Sequence, residues 1–128
     1  MSDSGKFVAG KHCLVLDDEF LIALDVQQIL ENAGAASVVS VSTATDALAA
    51  IRRGPRFDLA VLDVKLSGTA ESGLTVAAAL AEQNTPFMFL TGMCGEAEHT
   101  KQFPGAPVLE KPYQAQALLE ILRKILCG

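Results

Sequence analysis

The feature that most constrains this chain is a set of short apolar runs, each stopping at a polar side chain. The clearest is Leu59-Ala60-Val61-Leu62, which ends at Asp63. Cys13-Leu14-Val15-Leu16 stops at Asp17-Asp18-Glu19, Phe87-Met88-Phe89-Leu90 at Thr91-Gly92, and Val108-Leu109 is followed by Glu110-Lys111-Pro112. Such runs read as strands buried on both faces, the pattern of a parallel sheet. Open α/β sheets place their chemistry just past the carboxyl ends of these strands. Asp63 is therefore expected at the one sheet edge where a reactive group meets solvent and ligand.

Helical patterns fill the intervals. Ile22, Val26, Ile29 and Ala33 keep a spacing of three to four residues, the preceding acids suit a helix N-terminus, and Gly34 suits its end. Val38-Val39-Ser40-Val41 reads as a more polar strand nearer the sheet edge. Thr43 with Asp46 has the capping-box spacing, Ala44, Ala47, Leu48 and Ile51 give an inner face, and Gly54-Pro55 stops the helix. After a small-residue loop from Ser67 to Ser72, Leu74, Ala77, Leu80 and Ala81 mark a third helix. Residues 96–103 allow only a short helix before Pro104-Gly105, and the last helix spans about 114–126. Strand and helix alternate five times, which implies a doubly wound α/β domain with a parallel sheet.

Composition narrows the function classes. With 128 residues the chain holds one domain, expected over residues 11–128 behind a loose N-terminus at 1–10 that has little to bury. A net charge of −5 argues against a nucleic-acid binder, which needs a basic face. Cys13, Cys94 and Cys127 lack a CxxC spacing and read as ordinary thiols of a reduced, cytoplasmic protein. No export signal and no membrane span is visible.

Asp17, Asp18 and Asp63 meet at one rim if the first and third strands are neighbours. Two bare carboxylates about 4 Å apart repel by roughly 4 kcal/mol at an effective dielectric near 20. Such a cluster calls for a cation or for raised pKa values, and oxygen-only ligands on a shallow rim favour Mg²⁺. The same Asp-Asp pair is also what a simple helix N-terminus carries. Lys111, held before Pro112, could neutralise the carboxylates or grip a phosphoryl oxygen, or be an ordinary surface lysine. Thr91 offers a hydroxyl at a strand end, or is merely a β-branched residue beside a turn glycine.

Taken together, Asp-Asp after the first strand, Asp after the third, Thr after the fourth and Lys-Pro after the fifth resemble the receiver domain of two-component response regulators. The match runs from about Lys11 to Leu126. It implies a flavodoxin-like five-stranded parallel sheet in order 2-1-3-4-5 with five surrounding helices. It also implies that Asp63 accepts the phosphoryl group, that Asp18 ligates Mg²⁺ directly, and that Asp17 acts mainly through metal-bound water. The Lys65 carbonyl matches a further metal-ligand position, Thr91 the switch hydroxyl, Lys111 its lysine partner, and the bond before Pro112 a cis peptide.

The chain departs from the family pattern in places. Ser67 and Glu71 stand where proline and glycine are common, and Gly73 is the nearest equivalent glycine, so the loop after Asp63 reads as two residues longer. Val108 occupies the position of the usual switch aromatic. Phe89-Leu90-Thr91-Gly92-Met93-Cys94 is similar to a subgroup of stand-alone bacterial stress-signalling receivers with the motif Phe-x-Thr-Gly-x-Tyr, Cys94 replacing its tyrosine.

The resemblance implies a single-domain response regulator, phosphorylated by a histidine kinase or phosphotransfer protein, that signals by protein contacts or serves as a phosphate sink. It is not expected to be an enzyme beyond its own phosphoryl acceptance and loss. The alternative is a receiver-like interaction module that takes no phosphate. A binder of FMN would need a phosphate loop after the first strand, where Asp17-Asp18-Glu19 has the wrong charge. On the last helix Leu118, Ile121, Leu122 and Ile125 form an inner stripe that Leu119 and Leu126 widen, either for deep seating or for a homodimer or kinase contact.

Overall fold

A computed structural model describes residues 8–63, 70–92, 103, 105–111 and 113–127. Five strands, β1 (His12–Leu16), β2 (Ser37–Val41), β3 (Leu59–Asp63), β4 (Phe87–Thr91) and β5 (Val108–Glu110), form one parallel sheet in the order β2-β1-β3-β4-β5. This is the expected order. Four helices lie among the described residues: α1 (Phe20–Asn32), α2 (Ala44–Arg53), α3 (Ala70–Glu82) and α4 (Ala115–Cys127). The fifth implied helix, the short one expected at 96–103, falls outside the described residues apart from Phe103.

The central strands β3 and β4 are buried at every position, whereas β2 is half-exposed at the sheet edge, as its serines foretold. Alternation along each strand divides the core into two halves. Leu14, Leu16, Ala60, Leu62 and Phe89 pack beneath α2 and α3 with Ile51, Ala77 and Leu80. Cys13, Val15, Val61, Met88 and Leu90 pack beneath α1 and α4 with Val26, Leu30, Leu118 and Leu122. Phe87, Phe89 and Phe103 form an aromatic group with ring centroids 5.5–6.1 Å apart.

Local signals held in detail. The Thr43 hydroxyl accepts from Asp46 N–H at 3.1 Å, which caps α2. Gly34, just past α1, takes φ +104°, a conformation that favours glycine, and a Cβ there would meet Ala9. Two readings need correction. The loose end does not include Val8: it is fully buried, and its carbonyl accepts from Lys11 N–H while Gly10 N–H donates to the Gly34 carbonyl. Phe7-Val8-Ala9 is too short a run to give a periodic signal, so only the tertiary packing shows the place of Val8. Ala81, expected on the inner face of α3, is exposed, and Val76 is buried instead. The buried arc is centred on Ala77 and Leu80, and Ala81 falls at its margin on the last turn.

On α4, Leu118 and Leu122 are fully buried, while Leu119, Ile121, Ile125 and Leu126 are half-buried against the same core. No helix among the described residues is long and apolar enough to cross a membrane.

Candidate functional site

Strand register builds the site. Leu16 of β1 pairs with Leu62 of β3, so the next residue along each strand, Asp17 and Asp63, emerges side by side at the carboxyl rim. Leu90 of β4 lies beside Asp63, and Thr91 follows it, opposite Glu110 of β5. The next residue after β5 is Lys111, whose N–H donates to the Thr91 carbonyl at 2.7 Å. Four strands thus deliver Asp17, Asp63, Thr91 and Lys111 to one end of the sheet.

The side chains converge as the topology requires. Carboxylate oxygens of Asp17, Asp18 and Asp63 all lie within 4.8 Å of one another. Asp17 and Asp63 are only 1% and 3% exposed, whereas Asp18 faces solvent. Lys111 Nζ reaches Asp17 Oδ2 at 3.2 Å, Asp63 Oδ2 at 3.6 Å and Glu19 Oε1 at 3.0 Å. Thr91 is fully buried, and its hydroxyl has no hydrogen-bond partner among the described residues. An orphaned buried hydroxyl is costly and marks a place where a ligand oxygen would fit.

Electrostatics follow from burial and crowding. Asp17 has its pKa raised, chiefly by burial; the Glu19 N–H that donates to its Oδ1 at 2.9 Å, and Lys111, counteract only in part. Burial pulls the Lys111 ammonium down, but the charges of Asp17 and Asp63 and its bonds to Glu19 and Asp17 more than offset this, so its pKa is raised. One ammonium thus serves three carboxylates, and Asp18 adds a fourth at the same rim. The donor set is anionic oxygen alone, partly open to water through Asp18, and this suits a hard divalent cation that keeps several waters.

All four strand-end residues singled out from sequence come together, and Asp18 joins them. The Lys65 carbonyl and the bond before Pro112 lie outside the described residues, as do Ser67, Met93 and Cys94. Val108, at the expected aromatic position, is half-buried against the core half that contains Phe89 and Phe103. Glu19 was missed: at a helix start an acid reads as a capping group, yet its side chain makes no cap and pairs with Lys111. Tyr113 was also missed; its hydroxyl donates to Asp25 Oδ2 at 3.5 Å and ties the start of α4 to α1. Burial, then the Asp25 and Asp17 charges, push its pKa upward. Phe20 and Leu21, three-quarters exposed, open α1 beside Glu19; residues so placed look in sequence like any other apolar pair.

Comparison with known proteins agrees with this geometry. A family model described as the response regulator receiver domain matches residues 13–123. A response regulator receiver protein from Sinorhizobium medicae is similar at TM-score 0.81 and 26% identity, covering 91% of this chain and 94% of that one. SdrG from Pseudomonas melonis, in its BeF3-activated conformation, is similar at TM-score 0.74 and 35% identity, covering 92% and 98%. NtrX from Brucella abortus is similar at TM-score 0.78 and 30% identity over 91% of this chain, which spans only 27% of NtrX. No curated protein sequence matches the chain.

Proposed function

Because this chain belongs to the receiver-domain family of response regulators, we propose that it accepts a phosphoryl group on Asp63 from a histidine kinase or phosphotransfer protein. The observation that carries this reading is the approach of Lys111 Nζ to within 3.6 Å of Asp63 in a cluster of three aspartates. Mg²⁺ held by Asp18, Asp17 and Asp63 would supply positive charge to the oxygens of the transferring group.

The chain's own residues account for the rest. A carboxylate oxygen of Asp63 forms the new bond to phosphorus as the donor's bond to phosphorus breaks, and the donor leaves with its electron pair. Lys111 pairs with a phosphoryl oxygen, and catalysis is largely positioning and electrostatics. The product carries about −1.5 to −2 charge, and a new acceptor oxygen beside Asp63 is what the Thr91 hydroxyl lacks. Closure of Thr91 on that oxygen biases the surface between two states. The chemistry ends with loss of the group to water, so the protein is not an enzyme acting on other substrates.

In this reading the receiver works by protein contacts or as a phosphate sink. The activated form of SdrG supports an activatable site on a similar chain. Exposed Phe20 and Leu21 give a phosphodonor protein an apolar foothold beside the acidic rim.

Incubation with Mg²⁺ and acetyl phosphate, read by intact mass, should add one phosphoryl group to the wild type and none to Asp63→Ala. An unlabelled wild type would overturn the reading. It would leave the alternative that Val108 motivates, a receiver-like interaction module, for which a Mg²⁺ titration shows no amide shifts near Asp18 and Asp63.

A further inference from the structure

Lys111 has to face an oxygen on Asp63 for the proposed chemistry, yet its nearest carboxylate is Glu19. The distances are 3.0 Å to Glu19 Oε1, 3.2 Å to Asp17 Oδ2 and 3.6 Å to Asp63 Oδ2. Asp17 is held in place from both sides. Its N–H donates to the Val41 carbonyl, and its Oδ1 accepts from the Glu19 N–H. Glu19 is different, because its side chain is 60% exposed and can swing away at little cost. It sits at the N-cap of α1 but makes no cap hydrogen bond. A carboxylate at a helix N-terminus ordinarily gains from the backbone N–H groups there. Here that gain is given up for the ammonium of Lys111, reached across 92 positions of sequence.

From this we infer that Glu19 is a releasable latch on Lys111: a positioning residue that holds the ammonium toward the β1–α1 connection until an anion on Asp63 competes for it. The inference rests on the phosphoryl-acceptor reading of Asp63. A dianionic group bound to Asp63 draws Lys111 from Glu19, and the freed Glu19 turns to solvent. An anion bound at Asp63 competes with Glu19 for the Lys111 ammonium. Neutralising Glu19 therefore favours anion capture, in contrast to losing a carboxylate that itself works in the site. Exposed ion pairs are weak, so the gain is modest, about two- to five-fold.

The test is the rate of labelling by acetyl phosphate with saturating Mg²⁺, together with the affinity for beryllofluoride, in Glu19→Gln and Glu19→Asp. Glu19→Gln should label faster and bind beryllofluoride about two- to five-fold more tightly, and Glu19→Asp should fall between it and the wild type. Because the Glu19 side chain is exposed and caps nothing, the variants should keep the wild-type urea midpoint to within a small margin. A merely structural role would instead move that midpoint. The cycle with Lys111→Met decides the route: Glu19→Gln should have no effect on labelling in that background. Persistence of the gain without Lys111 would overturn the latch in favour of direct repulsion between Glu19 and the donor. Equal or slower labelling by Glu19→Gln in the presence of Lys111 would overturn it as well. If the wild type itself took neither label nor beryllofluoride, the failure would belong to the function of Asp63 and not to Glu19.

Discussion

Asp17 Oδ2 and Lys111 Nζ lie 3.2 Å apart, one just beyond the first strand and the other just beyond the last. Asp17 is almost wholly buried and Lys111 nearly so. Removing one member of such a pair leaves the other charged without compensation, which costs more than the pair itself contributes.

Lys111→Met should therefore destabilise the metal-free protein by about 3 kcal/mol, the low end for breaking a buried pair, because Asp17 can escape part of the strain by taking up a proton. Added Mg²⁺ should restore much of the loss. Urea unfolding with and without Mg²⁺ measures both effects.

Asp63→Asn should act in the opposite direction. It removes one of the crowded carboxylates while keeping the shape of the side chain, and so relieves repulsion at the rim. The metal-free variant should be more stable by about 1 kcal/mol, within the range seen when a functional site is relaxed. Its affinity for Mg²⁺ should fall. A variant that unfolds more easily than the wild type would show that Lys111 already balances Asp63.

Mg²⁺ binding should stabilise the native state by mass action. At a free concentration ten times the dissociation constant the gain is about 1.4 kcal/mol. Asp18, the exposed member of the trio, contributes little to packing, so Asp18→Asn should leave the metal-free melting temperature nearly unchanged while greatly reducing the upward shift with Mg²⁺. Calorimetric scans across a Mg²⁺ series check this.

Alkaline pH should weaken the fold through Cys13. Burial pushes its thiol up to about 11 from an ordinary value of 9.0, with the Asp58 charge adding to the shift. Between these values the unfolded chain has released a proton that the folded chain keeps, so stability present below pH 9.0 is lost as the pH rises toward about 11. Lys111 and Tyr113, both raised, act in the same direction. Cys13→Ala should start from a lower stability and lose less of it over that interval, as read from urea midpoints.

Much of this was legible in the chain because strands buried on both faces and helices with one apolar stripe leave different periods in sequence. Leu59–Leu62 and Phe87–Leu90 could hardly be anything but interior strands, and the polar residue closing each run marked the reactive rim. Val8 and Glu19 were not legible for a common reason. Each owes its role to a partner distant in sequence, Val8 to the α1–α4 half of the core and Glu19 to Lys111, and neither has neighbours that repeat a pattern.

By itself, then, the sequence determined the alternation of elements, the parallel sheet and the residues standing at the strand ends, since these follow from local spacing and burial. Tertiary structure alone decided which of the acids hold Lys111, that Asp17 is buried while Asp18 is exposed, and that the Thr91 hydroxyl is left without a partner among the described residues. The reason is physical. Charge interactions depend on separations of a few ångströms, and only the register of β1, β3, β4 and β5 sets those separations between residues so far apart along the chain.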